Sequence, residues 1–454
     1  MGAALSCVAL NVLECFACLA CSCCKSALNY SMSQAARLSH ILIILSVFTL
    51  AIILGTSYAD KFAGNYYVET YTTINITQGC DMNNLSECIY RQLIYRASFA
   101  LVILFSLLAL FASISERVNK GFWILKFLIS NGIFIGFFWI NNDLFTGWAE
   151  VSRVIAVVWL FAQSLLLLDA SHDIHDIIIS YADAEEIKTG DGRGWYALYL
   201  AVAMAGLSCS GVGLAYLFKD YAGCSLGMFF VVLTCIFGVI STILSVLTFI
   251  NKGILTPSIL FAYAVFLTWY SLLSSSDVQC NPYAYSNSSV TKKGSIVLVS
   301  GITIFVLLYC VINGTVILNI FNPQGQGVMQ SYTKSEGSAL NRSLTPVAVA
   351  EPHGNSATEI SIAQNNSGSD GSNEAEQNES SGSYHERLFF HILMILVSSY
   401  GSMILTSWGN PTGAPTNDIT SKESMWFKII SLWIFMAMYL KSLHASYLDN
   451  KNNM

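Results

Sequence analysis

Four titratable residues in the middle of the chain, Asp169, His172, Asp173 and Asp176, are related by spacings of three and four residues. Residues at such spacings share one face of an α-helix, and carboxylates beside an imidazole can bind a metal ion or transfer protons. A catalytic zinc site normally needs three protein ligands and a base, and no second such cluster lies on another apolar segment. We therefore interpret these groups as solvated or mutually paired where a helix leaves the membrane.

Other signs of catalysis are missing from the sequence. It contains no GxSxG, HExxH or phosphate-loop motif, so we predict that the protein is not an enzyme and has no catalytic residue. We also expect no metal and no cofactor. The net charge of −6 gives no reason to expect nucleic acid as a partner.

The helix that carries the titratable cluster is predicted over Val151–Ser180. A helix of that length is about 45 Å long at 1.5 Å per residue, whereas the hydrocarbon core of a bilayer is about 30 Å thick. It must therefore tilt steeply or project into water. Because Gln163 and Asp169 would be unpaired in lipid, we expect them to face protein or a water-filled cleft.

The composition indicates a polytopic membrane protein, since 54% of the residues are hydrophobic and only 11% are charged. Apolar runs of about 20 residues, each long enough to span a bilayer, recur from Leu38 onwards. We predict an all-α integral membrane protein with about ten transmembrane helices, in two bundles joined by the long diagonal fourth helix. The predicted spans are Leu38–Tyr58, Leu93–Ser113, Phe122–Asn141, Val151–Ser180, Trp195–Phe218, Leu226–Ile250, Pro257–Ser275, Ser295–Ile320, Arg387–Trp408 and Trp426–Leu448.

The connecting loops predict the orientation. Basic residues at Lys25, Arg37, Arg117, Lys120 and Lys252 mark cytosolic loops by the positive-inside rule. The alternate loops carry the glycosylation sequons at Asn75, Asn84 and Asn287 and four cysteines, which suits an oxidising compartment. Both termini are thus predicted to be cytosolic, in an endomembrane (ER, Golgi or vacuole) or the plasma membrane. The simplest disulfides are Cys80 with Cys88 and Cys224 with Cys280.

The chain divides into six predicted segments. Residues 1–30 form a Cys-rich, membrane-associated N-terminus, and residues 323–385 form a hydrophilic loop with too little apolar surface to fold. The others are 31–150 with the first helices and a lumenal loop, 151–180 with the long helix, 181–322 with a second group of helices, and 386–454 with the last two helices. Lipidation candidates in the N-terminus are Gly2, Cys7, Cys15, Cys18, Cys21, Cys23 and Cys24.

Polar residues inside the spans are candidates for a path along which lipid headgroups slide. We interpret Lys126 as a side chain that reaches the headgroups, and we expect Asn131 to need a partner on another helix. Hydroxyl residues equally allow close helix packing, so both interpretations stay open. The complete candidate set is Lys126, Asn131, Gln163, Asp169, His172, Ser208, Ser210, Thr303, Asn313, Thr315 and His391.

Several short motifs, taken together and in order, carry a resemblance to a known family. They are Met1-Gly-Ala with the Cys-rich stretch, Gln163-Ser-Leu-Leu-Leu-Leu-Asp-Ala-Ser-His172, Thr256-Pro-Ser-Ile, Cys280-Asn-Pro, Phe390-His391 and Leu405-Thr-Ser-Trp408. In these motifs the chain resembles the serine incorporator (Serinc/TMS) family. The resemblance implies two bundles joined by a long diagonal helix, and movement of phospholipids between leaflets without an enzymatic step.

Three functions remain open at this stage. The first is lipid handling, either energy-independent phospholipid scrambling or support of phosphatidylserine and sphingolipid synthesis, with phospholipids, sterols or sphingolipids as partners. The second is secondary transport of serine or a similar small polar solute, which would need an occluded site and usually an internal repeat. The third is a structural scaffold for lipid-synthesis enzymes. The protein partners considered are those enzymes or further copies of this chain in a homo-oligomer.

Overall fold

The computed structural model describes residues 32–58, 75–77, 80, 84–112, 122–247, 253–275, 277, 280–282, 289–312, 371–412 and 418–452. Several predictions fall outside these residues: lipidation at Gly2 and the six N-terminal cysteines, glycosylation at Asn287, and the polar candidates Asn313 and Thr315. Most of the hydrophilic loop predicted over residues 323–385 lies outside them as well.

Ten helices of at least 14 residues lie in the described part of the chain, which contains no β-strand. Nine of them are long and apolar enough to cross a membrane, and α3 is a shorter apolar helix that continues into a 3₁₀ turn at Phe137–Trp139. The prediction of an all-α integral membrane protein is confirmed. The helices are α1 Met32–Ser57, α2 Leu85–Ala112, α3 Trp123–Gly136, α4 Asn142–Thr189, α5 Arg193–Asp220, α6 Ser225–Val246, α7 Leu255–Leu272, α8 Ser289–Ile312, α9 Gly371–Leu405 and α10 Asp418–Asn452.

Helix α4 is longer than the prediction of Val151–Ser180, because it has 48 residues and extends beyond that range at both ends. At 1.5 Å per residue it is about 72 Å long. Its start is fixed by Asn141, whose side chain accepts a hydrogen bond from the Asp143 N–H at 3.3 Å. Its end is fixed by Gly190, with φ of 75° and an N–H bond to the Glu186 carbonyl. The apolar run alone could not reveal these polar caps.

Helix α9 also begins earlier than predicted. It starts at Gly371, inside the segment expected to be disordered, and runs without interruption into the apolar span. Once a helix is nucleated, each added residue costs little, so a span anchored in the membrane can extend into a polar flank of weak helix propensity.

The long helix α4 packs against helices from both ends of the chain. It contacts α2, α8 and α9, with α1 and α3 packed against α2, and it also contacts α5, α7 and α10, with α6 packed against α7. The grouping does not follow chain order, because α8 contacts α1, α4 and α9, whereas α10 contacts α4, α6 and α7. Trp159, which is fully buried at the middle of α4, lies 6.4 Å from the ring of Tyr400 on α9.

Both predicted disulfides are present: Cys80 pairs with Cys88, and Cys224 pairs with Cys280. The second joins the turn between α5 and α6 to the segment after α7, so these two loops lie at the same end of the molecule. That placement agrees with the loop assignment made from charge and sequons.

We expect loss of the Cys224–Cys280 disulfide to destabilise the protein more than loss of Cys80–Cys88. The first closes a separation of 56 residues and the second a separation of 8, and the chain-entropy model assigns about 4 and about 2.5 kcal/mol to loops of those lengths. Thermal unfolding of the paired Cys→Ser variants checks the order, and an equal or inverted effect would contradict it.

Candidate functional site

A seam of polar side chains runs between α4 and α8. Thr303 on α8 donates to the Gln163 side-chain oxygen at 3.3 Å, and the same oxygen accepts a hydrogen bond from the Trp159 indole at 2.8 Å. All three side chains are buried. Gln163 therefore faces protein, with its carbonyl oxygen used twice.

The second contact of the α4–α8 seam lies closer to the C-terminal end of α8. The Tyr309 hydroxyl is 2.6 Å from an oxygen of Asp169 and 2.7 Å from an oxygen of Asp173. The sequence suggested that these carboxylates are solvated or mutually paired, and in the structure both meet a tyrosine on another helix. Residues His172 and Asp176, which share their face of α4, also have interaction partners.

Helical geometry sets how these contacts are arranged. Gln163, Asp169 and Asp173 are six and four residues apart on α4, and Thr303 and Tyr309 are six residues apart on α8. Asp169 and Asp173 share a helix face, whereas a spacing of six residues turns a helix by about 120°, so the Gln163–Thr303 contact lies on an adjoining face of each helix. From Gln163 to Asp173 the line covers about 15 Å, about half of the hydrocarbon thickness of a bilayer.

Helix α8 borders the surroundings of the described helices with part of its surface. As in α10, 44% of its apolar stretch is buried, compared with 78% for α7 and 17% for α5. The outer face of α8 presents large apolar side chains to the surroundings: Val297, Leu298, Phe305 and Leu308. The polar line therefore separates a central helix from one that borders lipid.

A second polar cluster joins α1, α3 and α9. Lys126 is buried and not extended towards headgroups, which corrects the interpretation made from the sequence; its Nζ lies 3.5 Å from His40 Nε2. His40 Nδ1 is 2.6 Å from the Ala36 carbonyl and must carry the hydrogen, so Nε2 is the acceptor for Lys126. The buried ring of His391 lies 5.3 Å from that of His40.

The remaining polar candidates do not extend the α4–α8 seam. Asn131 donates to the Phe127 carbonyl of its own helix at 2.8 Å, whereas we expected a partner on another helix. Ser210 is buried and donates to its own Gly206 carbonyl, whereas Ser208 is exposed. Both serines lie on α5, which packs against α4, α6 and α7.

The sequence analysis missed a buried cation at the start of the α10 span. Lys428 is fully buried, donates to Ser274, and lies 3.7 Å from the centroid of the Tyr270 ring and 4.9 Å from that of Trp408. The Trp408 indole in turn donates to the Tyr270 hydroxyl at 3.1 Å. We call Tyr270, Trp408 and Lys428 the aromatic cage. A lysine inside an apolar span was the available signal.

A second missed cation, Arg96 on α2, fixes the break between α3 and α4. Its guanidinium is fully buried and donates to the carbonyls of Phe137 and Ile140 at 3.0 and 2.8 Å and to the Gln92 side chain at 2.9 Å. Its carbon Cζ lies 4.2 Å from the centroid of the Phe145 ring. The carbonyls at the end of the short helix are satisfied in this way.

Long apolar helices, buried polar contacts between them and two disulfides define a polytopic all-α integral membrane protein. Its residues 11–450 match the family model described as serine incorporator (Serinc). The chain belongs to the Serinc family.

Individual relatives are distant but similar over most of their length. Serine incorporator 2 of Bos taurus is 27% identical over 379 residues, covering 78% of this chain and 76% of the relative. Serine incorporator 3 of Bos taurus is 25% identical over 373 residues, covering 78% of each. Membrane protein TMS1 of Saccharomyces cerevisiae is 22% identical, covering 76% of this chain and 78% of the relative.

Proposed function

We propose that this protein moves phospholipids between the two leaflets without an energy source, along the seam between α4 and α8. The observation that carries this proposal is the line of polar contacts Gln163–Thr303 and Asp169–Tyr309–Asp173 beside a helix that borders lipid. In this proposal the protein is not an enzyme, and it acts in an endomembrane or the plasma membrane.

The physical requirement for scrambling is a polar path for the headgroup while the acyl chains stay in lipid. Polar groups are expensive in hydrocarbon when they lack partners. If α8 moves away from α4, Gln163, Thr303, Asp169 and Asp173 lose their contacts with each other, and a headgroup can replace them. The apolar outer face of α8 keeps the acyl chains in a lipid-like environment.

We expect Thr303→Val to slow scrambling by about tenfold, because it replaces one polar contact of the path by a methyl group of similar size and raises the barrier by about 1.4 kcal/mol. The measurement is the transfer of fluorescent phospholipid between leaflets of liposomes that contain the purified protein. Bleaching of the outer leaflet reports the rate.

A matched control is Thr234→Val on α6. Like Thr303, which donates to the Val299 carbonyl at 3.0 Å as well as to Gln163, Thr234 is buried, bonds the carbonyl four residues before it, and contacts a neighbouring helix, through Thr268 at 2.8 Å. It lies away from α8, so its loss should leave the rate unchanged. Equal slowing by both substitutions would show that general destabilisation, and not the path, sets the rate.

Transport of serine or another small polar solute is the second candidate function, because relatives of this chain are named serine incorporators. The Asp169–Asp173 pair would then bind an ammonium group and not line a path. Uptake of labelled serine into liposomes in the absence of lipid scrambling would favour this candidate. A scaffold role in phosphatidylserine or sphingolipid synthesis predicts neither activity in a purified preparation.

A further inference from the structure

The contact between Tyr309 and the two aspartates has more acceptors than one hydroxyl can satisfy. Both oxygen–oxygen distances, 2.6 and 2.7 Å, are those of O–H···O hydrogen bonds. A phenol carries one hydrogen, and an ionised carboxylate only accepts. Two such contacts at one hydroxyl therefore require a second hydrogen, which only a protonated carboxyl group can supply.

We propose that Asp169, Asp173 and Tyr309 bind one proton, which latches α8 to α4 and is released when the seam opens. One carboxyl group donates to the Tyr309 oxygen, and Tyr309 donates to the other carboxylate. The role of the proton in holding α8 against α4 rests on the proposed function, because the three residues lie on the proposed lipid path. The bound proton itself does not depend on it.

The hydrogen bonds of the cluster account for one proton and not two, because the second carboxylate, while ionised, accepts the hydrogen that Tyr309 donates. Titratable and charged groups on the helices packed around the cluster include Arg37 and His40 on α1, His172, His175 and Asp176 on α4, Cys310 on α8, and Arg387 and His391 on α9.

Loss of the proton weakens the contact between the helices. With both carboxylates ionised, one hydroxyl hydrogen faces two negative oxygens, and one short contact becomes repulsive. Helix α8 also packs against α1 and α9, but 44% of its apolar stretch is buried, compared with 78% for α7, so the polar contacts form a substantial part of its attachment. The latch is therefore closed at low pH and opens as pH rises through the titration of the pair, and lipid transfer should accelerate in that direction.

Infrared difference spectroscopy of the full-length protein in lipid nanodiscs tests for the bound proton. The wild type should show the carbonyl band of a protonated carboxylic acid that disappears as pH rises. The band should be absent from the Asp169→Asn/Asp173→Asn double variant. Asparagine keeps the size of aspartate and offers a permanent N–H donor, so the double variant should fold. A wild type without a titrating band that depends on these residues overturns the proposal.

Hydrogen–deuterium exchange of α8 tests the latch independently of lipid transfer. Wild type and Asp173→Asn are compared at equal pH, so that differences in intrinsic exchange cancel. At low pH the α8 amides of the two proteins should exchange at the same rate. At high pH those of the wild type should exchange about tenfold faster. Tyr309→Phe should exchange rapidly at every pH. Equal exchange in wild type and Asp173→Asn across the range overturns the latch.

The lipid assay separates this proposal from the function itself. Scrambling by the wild type should rise about tenfold with pH and stay low in Asp173→Asn, whereas Tyr309→Phe, which removes the latch and also one polar group of the path, should show no rise with pH. A titrating band and pH-dependent exchange without any scrambling would leave the latch standing and refute the proposed function. Scrambling that is independent of pH in all three proteins would refute the latch alone.

Discussion

The Trp408→Ala variant is expected to be less stable than the wild type by about 3–5 kcal/mol, a range typical of truncating a large buried aromatic residue. The indole is almost completely buried, donates to Tyr270 and covers the Lys428 ammonium group. Its removal leaves a cavity and takes one cation–π partner from a buried cation. The backbone at Ser407 and Trp408 has φ values of 52° and 60°, so alanine at position 408 retains the left-handed conformation without the contacts that compensate it.

A double-mutant cycle with Lys428→Met separates the two causes. If the stranded cation contributes, then Lys428→Met should cost less in the Trp408→Ala background than in the wild type, because methionine fills apolar space and carries no charge. Denaturant unfolding in mixed micelles measures each free energy of unfolding. Strictly additive costs would mean that Trp408 acts through packing alone and that the aromatic cage does not stabilise the cation.

The Arg96→Met variant is expected to lose about 3–5 kcal/mol of stability. Methionine fills much of the volume of the arginine stem, but it leaves the carbonyls of Phe137 and Ile140 and the Gln92 side chain without their donor. Each buried polar group that loses its partner costs about 1–3 kcal/mol. The cost falls on the turn between α3 and α4, so we expect faster hydrogen exchange over Phe137–Ile140 in addition to the loss of stability.

The control for Arg96 is Arg193→Met at the start of α5. The Arg193 side chain is 94% exposed, and its nearest carboxylate, on Asp191, lies 3.8 Å away. Exposed ion pairs contribute little, so this variant should unfold like the wild type. If the two arginine variants were equally stable, the assignment of Arg96 as the donor that holds the turn would be wrong.

The membrane class, most of the spans and both disulfides could be predicted from the sequence. Apolar length, charge bias and loop cysteines are local signals that require no knowledge of packing. The ends of α4 could not be placed, because its last turns are polar and their helical state depends on caps such as Asn141 and Gly190.

The partners across helices were the hardest part to predict. Periodicity identifies Tyr309 and Trp408 only as apolar positions, yet their hydroxyl and indole groups contact Asp169, Asp173 and Tyr270. The position of Lys126 in the chain favours an interaction with lipid headgroups. In the structure its ammonium group instead lies beside His40, on another helix, in the protein interior. Contacts of this kind arise from the three-dimensional arrangement of helices distant in sequence.

The most direct test of lipid movement is outer-leaflet bleaching of fluorescent phospholipid in liposomes that contain the purified wild-type protein. A protein that scrambles lipid must make inner-leaflet fluorophores accessible without an added nucleotide or ion gradient. We predict that bleaching proceeds well beyond the outer-leaflet fraction, at a rate reduced by Thr303→Val and unaffected by Thr234→Val. Bleaching that stops at the outer-leaflet fraction in well-folded, protein-containing liposomes would contradict the account.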